Sequence, residues 1–199
     1  IREYLAKRDY AVASEHIETR LLNHPDYRNH KEMLEREEAR LREAAKMYRQ
    51  IVAAVKGLPE ATPIKVELKN GKTLEGKFHG VRENDTLWIS IHGARLTDVA
   101  LASLIALSGK KDIPPLTIAQ LHFYETDYSS AFSCAVDAVA KDFPAVCDFF
   151  TRMNLARSAV VEEEVAQAMA EADREIARGE RGKALEILDG VEHRFAPPV

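Results

Sequence analysis

The chain has 199 residues, of which 46% are hydrophobic and 30% are charged, and its formal net charge is −4. This balance is typical of a globular protein with enough residues to bury a core in one large domain or two small ones. The net negative charge excludes an overall electrostatic attraction to nucleic acid or anionic lipid. No apolar run approaches the roughly 18 residues that a membrane-spanning helix requires.

The cysteine content is low, with only Cys134 and Cys147 in the chain. Two cysteines do not make a disulfide framework, and they indicate a reducing compartment, so we expect a cytoplasmic protein. Both lie in apolar helical sequence, which favours buried, inert thiols; a disulfide between them across a helical hairpin is the alternative. The first residue is Ile1 rather than Met, so we expect a fragment of a longer protein whose upstream part could carry targeting signals.

The first region, residues 1–58, is rich in Glu, Arg, Ala and Leu and predicts two helical segments separated at Pro25. Asp26 is the predicted N-cap of a second helix over 27–55. Apolar residues recur in that helix at intervals of seven, at Leu34, Leu41, Tyr48 and Val55. Because Glu38 interrupts this stripe, we favour a helix that packs against its own chain; a dimeric coiled coil, which needs a sustained seam, is the alternative.

The second region, residues 59–107, changes to the period of two that is typical of half-buried strands. Its first strand carries apolar residues at Ile64, Val66 and Leu68. Asn70-Gly71 follows and predicts a tight hairpin turn. Gly76 and Gly80 in the next strand indicate sharp bending, which a small closed barrel requires.

Two further strands are predicted in the same region. Residues 83–85 form the predicted turn before a third strand, whose inward positions are Leu87, Ile89 and Ile91, with Trp88 on the other face. A second turn is predicted over 92–95, His-Gly-Ala-Arg, and a fourth strand over 96–99. A short helix over 100–107 then leaves the barrel.

The third region, residues 108–199, is predicted to be helical. The predicted helices cover 117–125, 128–141, 144–156, 160–178 and 183–194, and the tail 196–199 is predicted to be frayed. Together the three regions predict a mainly helical α+β protein with one small antiparallel barrel inserted between helical parts.

A repeated pattern links three places in the helical parts. The first copy has Asp9, Tyr10, Ala13, Ile17 and Pro25; the second has Asp127, Tyr128, Ala131 and Ala135; the third has Gly179, Ala184 and Leu188 and ends at Ala196. This order of turn, aromatic residue, small alanine and helix-starting proline resembles the tetratricopeptide repeat. The resemblance implies antiparallel helical hairpins that meet at their alanines and present a surface to a protein or peptide partner.

The strand region also has a family resemblance. The spacing of Val66, Leu68, Gly71 and Gly76 is similar to the first motif of small barrels of the Sm-like or SH3-like kind, while the second motif has its nearest counterpart in 92–95. The order of helical hairpin, small barrel and further hairpins resembles accessory regions of bacterial serine/threonine kinase-like proteins. That resemblance implies a non-catalytic accessory or sensing region.

The sequence contains no nucleotide-binding loop, zinc-ligand spacing or nucleophile elbow. His16, His24 and His30 lie near one another in sequence but lack the converging ligands that a metal needs. We therefore predict no catalytic residue, no cofactor and no metal, and we expect the chain not to be an enzyme.

The candidate partner-binding residues are Lys65, Lys69, Trp88 and Arg95 in the barrel and Tyr124 and Tyr128 at a helix–helix turn. Basic side chains beside an exposed aromatic ring can bind single-stranded nucleic acid by charge and stacking. Glu67 and Glu75 are interleaved with them, which favours a solvated strand face or a contact with a protein edge. The predicted function is a non-catalytic protein–protein interaction or scaffold module, and single-stranded nucleic-acid binding through the barrel is the alternative.

Overall fold

The computed structural model describes residues 1–195, except for the side chains of residue 83 and of 189–195. The chain divides into two compact units, Ile1–Phe143 and Pro144–Val199. The described chain is mainly helical with one antiparallel sheet, which confirms the predicted α+β class. None of the helices in the described part combines the length and the apolar character that crossing a membrane demands.

The N-terminal helical region begins with two short helices and continues into one long helix. Its elements are α1 (Arg2–Ala6), α2 (Tyr10–His16), a π-helical turn (Ile17–Leu21), a 3-10 turn (Pro25–His30) and α3 (Lys31–Lys56). The predicted break at Pro25 is confirmed. The predicted N-cap at Asp26 is wrong, because the Asp26 backbone N–H donates to His24 Nδ1 at 3.3 Å and the 3-10 turn delays the start of α3 to Lys31.

The long helix α3 packs along its own chain, against α2 and two later helices. Leu41 and Val55 of the predicted stripe are buried. Glu38 is also buried, and its Oε1 accepts a hydrogen bond from Ser14 Oγ at 2.7 Å and pairs with Arg42. A carboxylate is therefore accommodated in the stripe because two polar partners satisfy it.

The sheet has four strands in the order of the chain: β1 (Pro63–Glu67), β2 (Thr73–Arg82), β3 (Thr86–Ile89) and β4 (His92–Arg95). The predicted Asn-Gly turn is confirmed: Gly71 has φ +78°, and Asn70 Oδ1 accepts the Lys72 N–H at 3.0 Å. β2 changes partner along its length, since it pairs with β1 up to Lys77 and with β3 from Phe78. Gly80, with φ +103°, lies within the register shift between these two pairings, where bending was predicted.

The predicted end of the sheet is wrong in three respects. Residues 92–95 form strand β4 instead of a turn, and residues 96–99 follow β4 instead of forming a strand. Ile91 was predicted to face inward but is 83% exposed, because Ser90-Ile91 is the two-residue turn that joins β3 to β4. Ser90 adopts φ +52° there, although hairpin turns of this length usually use Asn, Asp or Gly, so the sequence carried no signal for it.

Three helices complete the first unit: α4 (Leu101–Ser108), α5 (Pro115–Tyr124) and α6 (Tyr128–Val136). The sheet and the helices share one hydrophobic cluster, whose buried members include Tyr10, Leu41, Val66, Phe78, Leu104 and Leu121. α3 contacts both α4 and α5, and α4 contacts β1, so buried side chains of the strands and of the helices belong to the same cluster.

The second unit contains α7 (Phe143–Ala177), apart from its first residue, and α8 (Arg181–Phe195). The two helices predicted over 144–156 and 160–178 are wrong, because α7 is continuous. Residues 157–159 contain neither Pro nor Gly, so nothing in them ends a helix. Gly179, with φ +84°, lies between α7 and α8. The predicted frayed tail 196–199 and the end of the third repeat copy at Ala196 lie outside the described residues.

Both cysteines are free thiols, but only one is shielded. Cys134 is half-buried, and burial raises the pKa of its thiol. Cys147 is exposed, so the prediction of two buried thiols is wrong.

Candidate functional site

The candidate site is built around Arg8, which lies between α1 and α2. Its backbone has φ +59°, a left-handed conformation that is uncommon for a residue other than glycine. The Asp9 N–H donates to the Tyr4 carbonyl at 2.8 Å and closes this turn. The Arg8 side chain is buried, so the turn directs a cation into the protein.

Three groups bind the buried guanidinium. Arg8 Nε donates to Glu125, while Nη1 donates to the Leu96 carbonyl at 2.6 Å and Nη2 to the Val99 carbonyl at 2.8 Å. Glu125 follows α5 and also pairs with Lys69 at 3.2 Å. Burial disfavours the charged guanidinium, but the bond and charge of Glu125 outweigh it, and the pKa of Arg8 is raised. This cation therefore joins the start of the chain to the segment after β4 and to the end of α5.

Tyrosine rings surround the same guanidinium. Arg8 Cζ lies 5.6 Å from the centre of the Tyr48 ring, within the range of a cation–π contact. The Tyr10 ring packs edge-on against the Tyr48 ring, with 5.6 Å between the ring centres, and its centre lies 5.7 Å from that of the Tyr124 ring. The Tyr124 hydroxyl donates to Glu37 at 2.7 Å. Burial raises the pKa of Tyr10 and of Tyr48, so both hydroxyls are neutral donors at physiological pH.

The Tyr10 hydroxyl is buried and has no hydrogen-bond partner among the described residues. Buried hydroxyl groups in folded proteins nearly always have one. Tyr10 is also one of the residues that line an open cleft.

The cleft has a volume of about 510 Å³ and lies between α2, α3 and the segment that follows β4. Its floor is largely apolar and aromatic, formed by Tyr10, Ala45, Tyr48, Val52, Ala53 and Leu96. Its charged residues are four cations, Lys7, Arg8, Arg49 and Lys56, and two carboxylates, Asp9 and Asp85. The cleft therefore combines an apolar floor with charged residues at its rim, of which Arg8, Lys7 and Lys56 are paired with carboxylates.

A second recess continues the cleft along the α2–α3 groove, with a volume of about 420 Å³. The two recesses share Ala11, Ala45 and Arg49. The second one reaches Ala39, and the first reaches Lys56. At 1.5 Å per helical residue, the groove follows α3 for about 26 Å.

The cations at the rim differ in how firmly they are held. Lys7 pairs with Glu3 at 2.7 Å and Lys56 with Asp85 at 2.8 Å, and both pairs are exposed. Exposed ion pairs contribute little to stability and exchange readily for other partners. Arg49 is exposed, and among the described residues its hydrogen bond is to the carbonyl of Ala45 in its own helix, at 3.3 Å.

Two of the predicted binding residues on the sheet are engaged locally. Lys65 is exposed and pairs with Glu75 on the neighbouring strand at 3.4 Å. Trp88 is half-buried, and Arg82 Cζ lies 5.3 Å from the centre of its ring. Trp88 is also opposite Gly93, where an added Cβ would lie 3.4 Å from the ring.

Two other predicted residues do come together. Lys69 and Arg95 both line a shallow groove of about 490 Å³ beside Thr86 and Asp98. Lys69 also pairs with Glu125, so this groove and the Arg8 cluster share one carboxylate.

The two predicted tyrosines have different surroundings. Tyr124 is buried in the aromatic cluster, and its hydroxyl bonds Glu37. Tyr128 is half-buried, and its ring meets Phe123 edge-on at 6.1 Å.

The central residues of the cleft carry little signal in the sequence. Arg8 has no local signal, because its role depends on a carboxylate 117 residues away. Tyr10 and Tyr48 were assigned to the repeat pattern and to the helical stripe. Arg49 lies on the α3 face next to that stripe, and its position above a cleft depends on how α2 packs.

Within the described residues, no group of three or more His, Cys, Asp or Glu side chains converges in a way that could hold a metal ion. Comparison of the chain with protein-family models, with curated proteins and with solved structures found no match. By its architecture, the chain is a mainly helical α+β protein with a four-stranded antiparallel sheet.

Proposed function

We propose that this chain is a non-catalytic protein–protein interaction module that works in the cytoplasm as an accessory part of a longer, kinase-like protein. The observation that carries the proposal is the distribution of apolar side chains in the second unit. In the described part of this unit beyond Met153, small alanines are buried and several larger apolar side chains are exposed.

The buried alanines are Ala168 and Ala172 on α7 and Ala184 on α8. The exposed residues on the same two helices are Met169 (57%), Ile176 (51%), Leu185 (68%) and Leu188 (40%). Full burial of a side chain such as Leu or Ile stabilises a protein by about 1.5–3 kcal/mol, so folding alone favours the opposite arrangement. Clustered apolar side chains at a surface are typical of sites that contact another protein.

The burial of three alanines supports tetratricopeptide-like hairpins. Ala13, Ala131 and Ala184 occupy the small-residue position of the three repeat copies, and all three are buried. Small residues at such positions allow neighbouring helices to approach closely. Hairpins of this kind offer helical surfaces to a protein partner.

The hydrogen bonds beside β1 support a small barrel. Leu68 forms an antiparallel bridge with Val99, and the N–H groups of Lys69 and Ala100 donate to Asp98 and Glu67, each at 2.8 Å. These bonds bring the segment after β4 beside the end of β1, as closure of the sheet requires.

The charges of the sheet favour a protein partner over nucleic acid. Lys65 and Lys69 each pair with a carboxylate, and Arg82 covers the ring of Trp88. A single-stranded nucleic-acid site needs a positive groove and aromatic faces on which bases can stack.

The proposal is tested by capture from a lysate of the native cell, with and without nuclease, followed by mass spectrometry. The wild-type chain is compared with Leu185→Ser/Leu188→Ser and with the control Met33→Ser, which replaces an exposed apolar residue of α3. We expect protein partners that survive nuclease, bind the control and are lost with the double variant. Recovery that disappears with nuclease or modest salt would favour nucleic acid, and equal recovery by the double variant would remove the basis of the proposal.

A further inference from the structure

We propose that the groove between α2 and α3 binds an extended segment of a partner protein and that an acidic side chain of this segment enters the Arg8 cleft beside Arg49. This inference rests on the proposed function. It names the site and the chemistry of one contact.

The shape of the groove fits an extended chain. It follows α3 for about 26 Å, and an extended peptide advances about 3.3 Å per residue, so roughly eight residues can lie along it. The two recesses meet at Ala11 and Ala45, whose small side chains allow a peptide backbone to approach the helices. A groove of this length and width suits a peptide better than a compact small molecule.

The charge distribution sets the position of the acidic side chain. In the first recess, Arg8 pairs with Glu125, Lys7 with Glu3 and Lys56 with Asp85. Arg49 lines both recesses and is joined to no carboxylate in the described structure, whereas Arg42 in the second recess pairs with Glu18 and Glu38. The cation that can accept a new carboxylate is therefore Arg49, in the Arg8 cleft. A carboxylate is favoured there, and neutral residues are favoured in the second recess.

Arg49 is the central anchor of this contact. It lines both recesses, and its contact in the described structure is with the carbonyl of Ala45. Its guanidinium therefore has donors left for a carboxylate, which arginine can bind through two parallel hydrogen bonds. Lys7 and Lys56 can add to this contact, because their present ion pairs are exposed.

The floor of the cleft adds selectivity for the neighbouring residues. Tyr48 and Val52 are half-buried, and they offer apolar surface next to Arg49. Tyr10 is part of the same floor, and its buried hydroxyl has no hydrogen-bond partner among the described residues. An acidic residue flanked by apolar side chains matches this combination.

The test is an NMR titration of the whole chain with a blocked peptide in which one Glu lies between Leu residues. The comparison peptide has Gln in place of Glu. We expect backbone shifts at Tyr48, Arg49 and Val52, and affinity about tenfold lower for the Gln peptide, since a hydrogen bond to a charged group contributes that much. Shifts outside the groove, or equal affinity for the two peptides, would overturn the inference.

Three variants locate the contact. Arg49→Glu should lower affinity for the Glu peptide by about tenfold or more, and Arg49→Lys should retain part of it because the charge remains. Arg20→Glu is the matched control, since Arg20 is exposed in the same unit and does not line either recess. Unchanged affinity in Arg49→Glu would refute the assignment, and circular dichroism establishes that each variant is folded.

The outcome is separable from that of the proposed function. If Arg49→Glu binds the peptide normally while Leu185→Ser/Leu188→Ser loses its cellular partners, the interaction function stands and the groove assignment fails. If the peptide binds as expected but no protein is captured from the lysate, the groove assignment stands and the proposed function fails.

Discussion

The two units of this chain bury different kinds of side chain. The first unit packs helices and a sheet around large apolar residues and encloses the ion pair of Arg8 with Glu125. In the second unit, the part of α7 beyond Met153 and the described side chains of α8 bury alanines and leave Leu185 and other large residues exposed. Since burial of apolar area is the main stabilising contribution to folding, we expect large buried side chains to contribute more to the stability of the first unit than to this part of the second.

The largest effect on stability is expected at the buried ion pair of Arg8 and Glu125 in the first unit. Glu125→Gln leaves the Arg8 guanidinium buried without a countercharge, and we expect the free energy of unfolding to fall by about 3–5 kcal/mol. Urea denaturation followed by circular dichroism measures this change. Glu75→Gln, which breaks an exposed pair with Lys65, is the control and should cost no more than about 1 kcal/mol. Equal, small effects of the two substitutions would show that the buried pair does not support the first unit.

The same substitution at two glycines should have opposite effects in the two units. A Cβ at Gly76 would lie 2.4 Å from Ser90 Oγ, which accepts the Lys77 N–H, and 3.2 Å from Ile89 Cγ2. We expect Gly76→Ala to destabilise the first unit by about 1–3 kcal/mol. Gly182→Ala on α8 has open space around it and should stabilise the helix by about 0.5–1 kcal/mol, because alanine favours helices over glycine. Thermal denaturation measures the melting temperature of each variant. A shift of both melting temperatures in the same direction would contradict the expected difference.

A smaller effect is expected at the cap of α6. Asp127 Oδ1 accepts the Ser130 N–H at 3.1 Å, and its Oδ2 lies 3.0 Å from His122 Nδ1, so Asp127→Ala should cost about 1 kcal/mol. Burial tends to raise the pKa of the Asp127 carboxyl, but the bonds from Ser130 and the charge of His122 outweigh it, and the pKa is lowered.

The pH dependence of this cap has a definite sign. Because the folded pKa is below the ordinary value of 3.8, the stabilisation is complete above that value and is lost as pH falls through the folded pKa. Acid titration followed by circular dichroism should show a shallower loss of stability for Asp127→Asn than for the wild type. If the wild type and Asp127→Asn lost stability equally as the pH falls, the Asp127 carboxylate would not stabilise the folded state.

The smallest effect on stability is expected at the exposed leucines of the second unit. Leu185→Ser and Leu188→Ser should each change the free energy of unfolding by no more than about 0.5 kcal/mol, since they lie at the surface. Leu104→Ala, in the core of the first unit, should cost about 2–5 kcal/mol. A large loss of stability at Leu185 would mean that this residue supports the fold and is not kept for a partner.

Short-range features of the fold could be predicted from the sequence. Alternation at Ile64 and Val66 and the Asn70-Gly71 turn identified the first hairpin, because strand period and turn chemistry depend on adjacent residues. The turn at Ser90-Ile91 could not be identified, because two-residue hairpin turns favour Asn, Asp or Gly. The nearby Gly93 carries such a preference, and the turn was therefore predicted there. The continuity of α7 was missed although residues 157–159 contain no helix breaker.

The candidate site was much less predictable. Of the predicted residues, Lys69 reaches the edge of the Arg8 cluster and Tyr124 lies within its aromatic part. The groove itself arises where α2 lies against α3, and this packing is a property of the folded chain. A pattern within one helix cannot show which cations line a cleft formed by two.

The α+β class, the place of the sheet between helical regions and the glycine turns follow from residue types within one or two helical turns or strand pairs, and they can be read from the chain alone. The burial of Arg8, its contact with Glu125 and the position of Arg49 at the cleft arise when the chain folds. The physical reason is distance along the chain: Arg8 and Glu125 are 117 residues apart, and the free energy that holds them together comes from the core that brings their segments into contact.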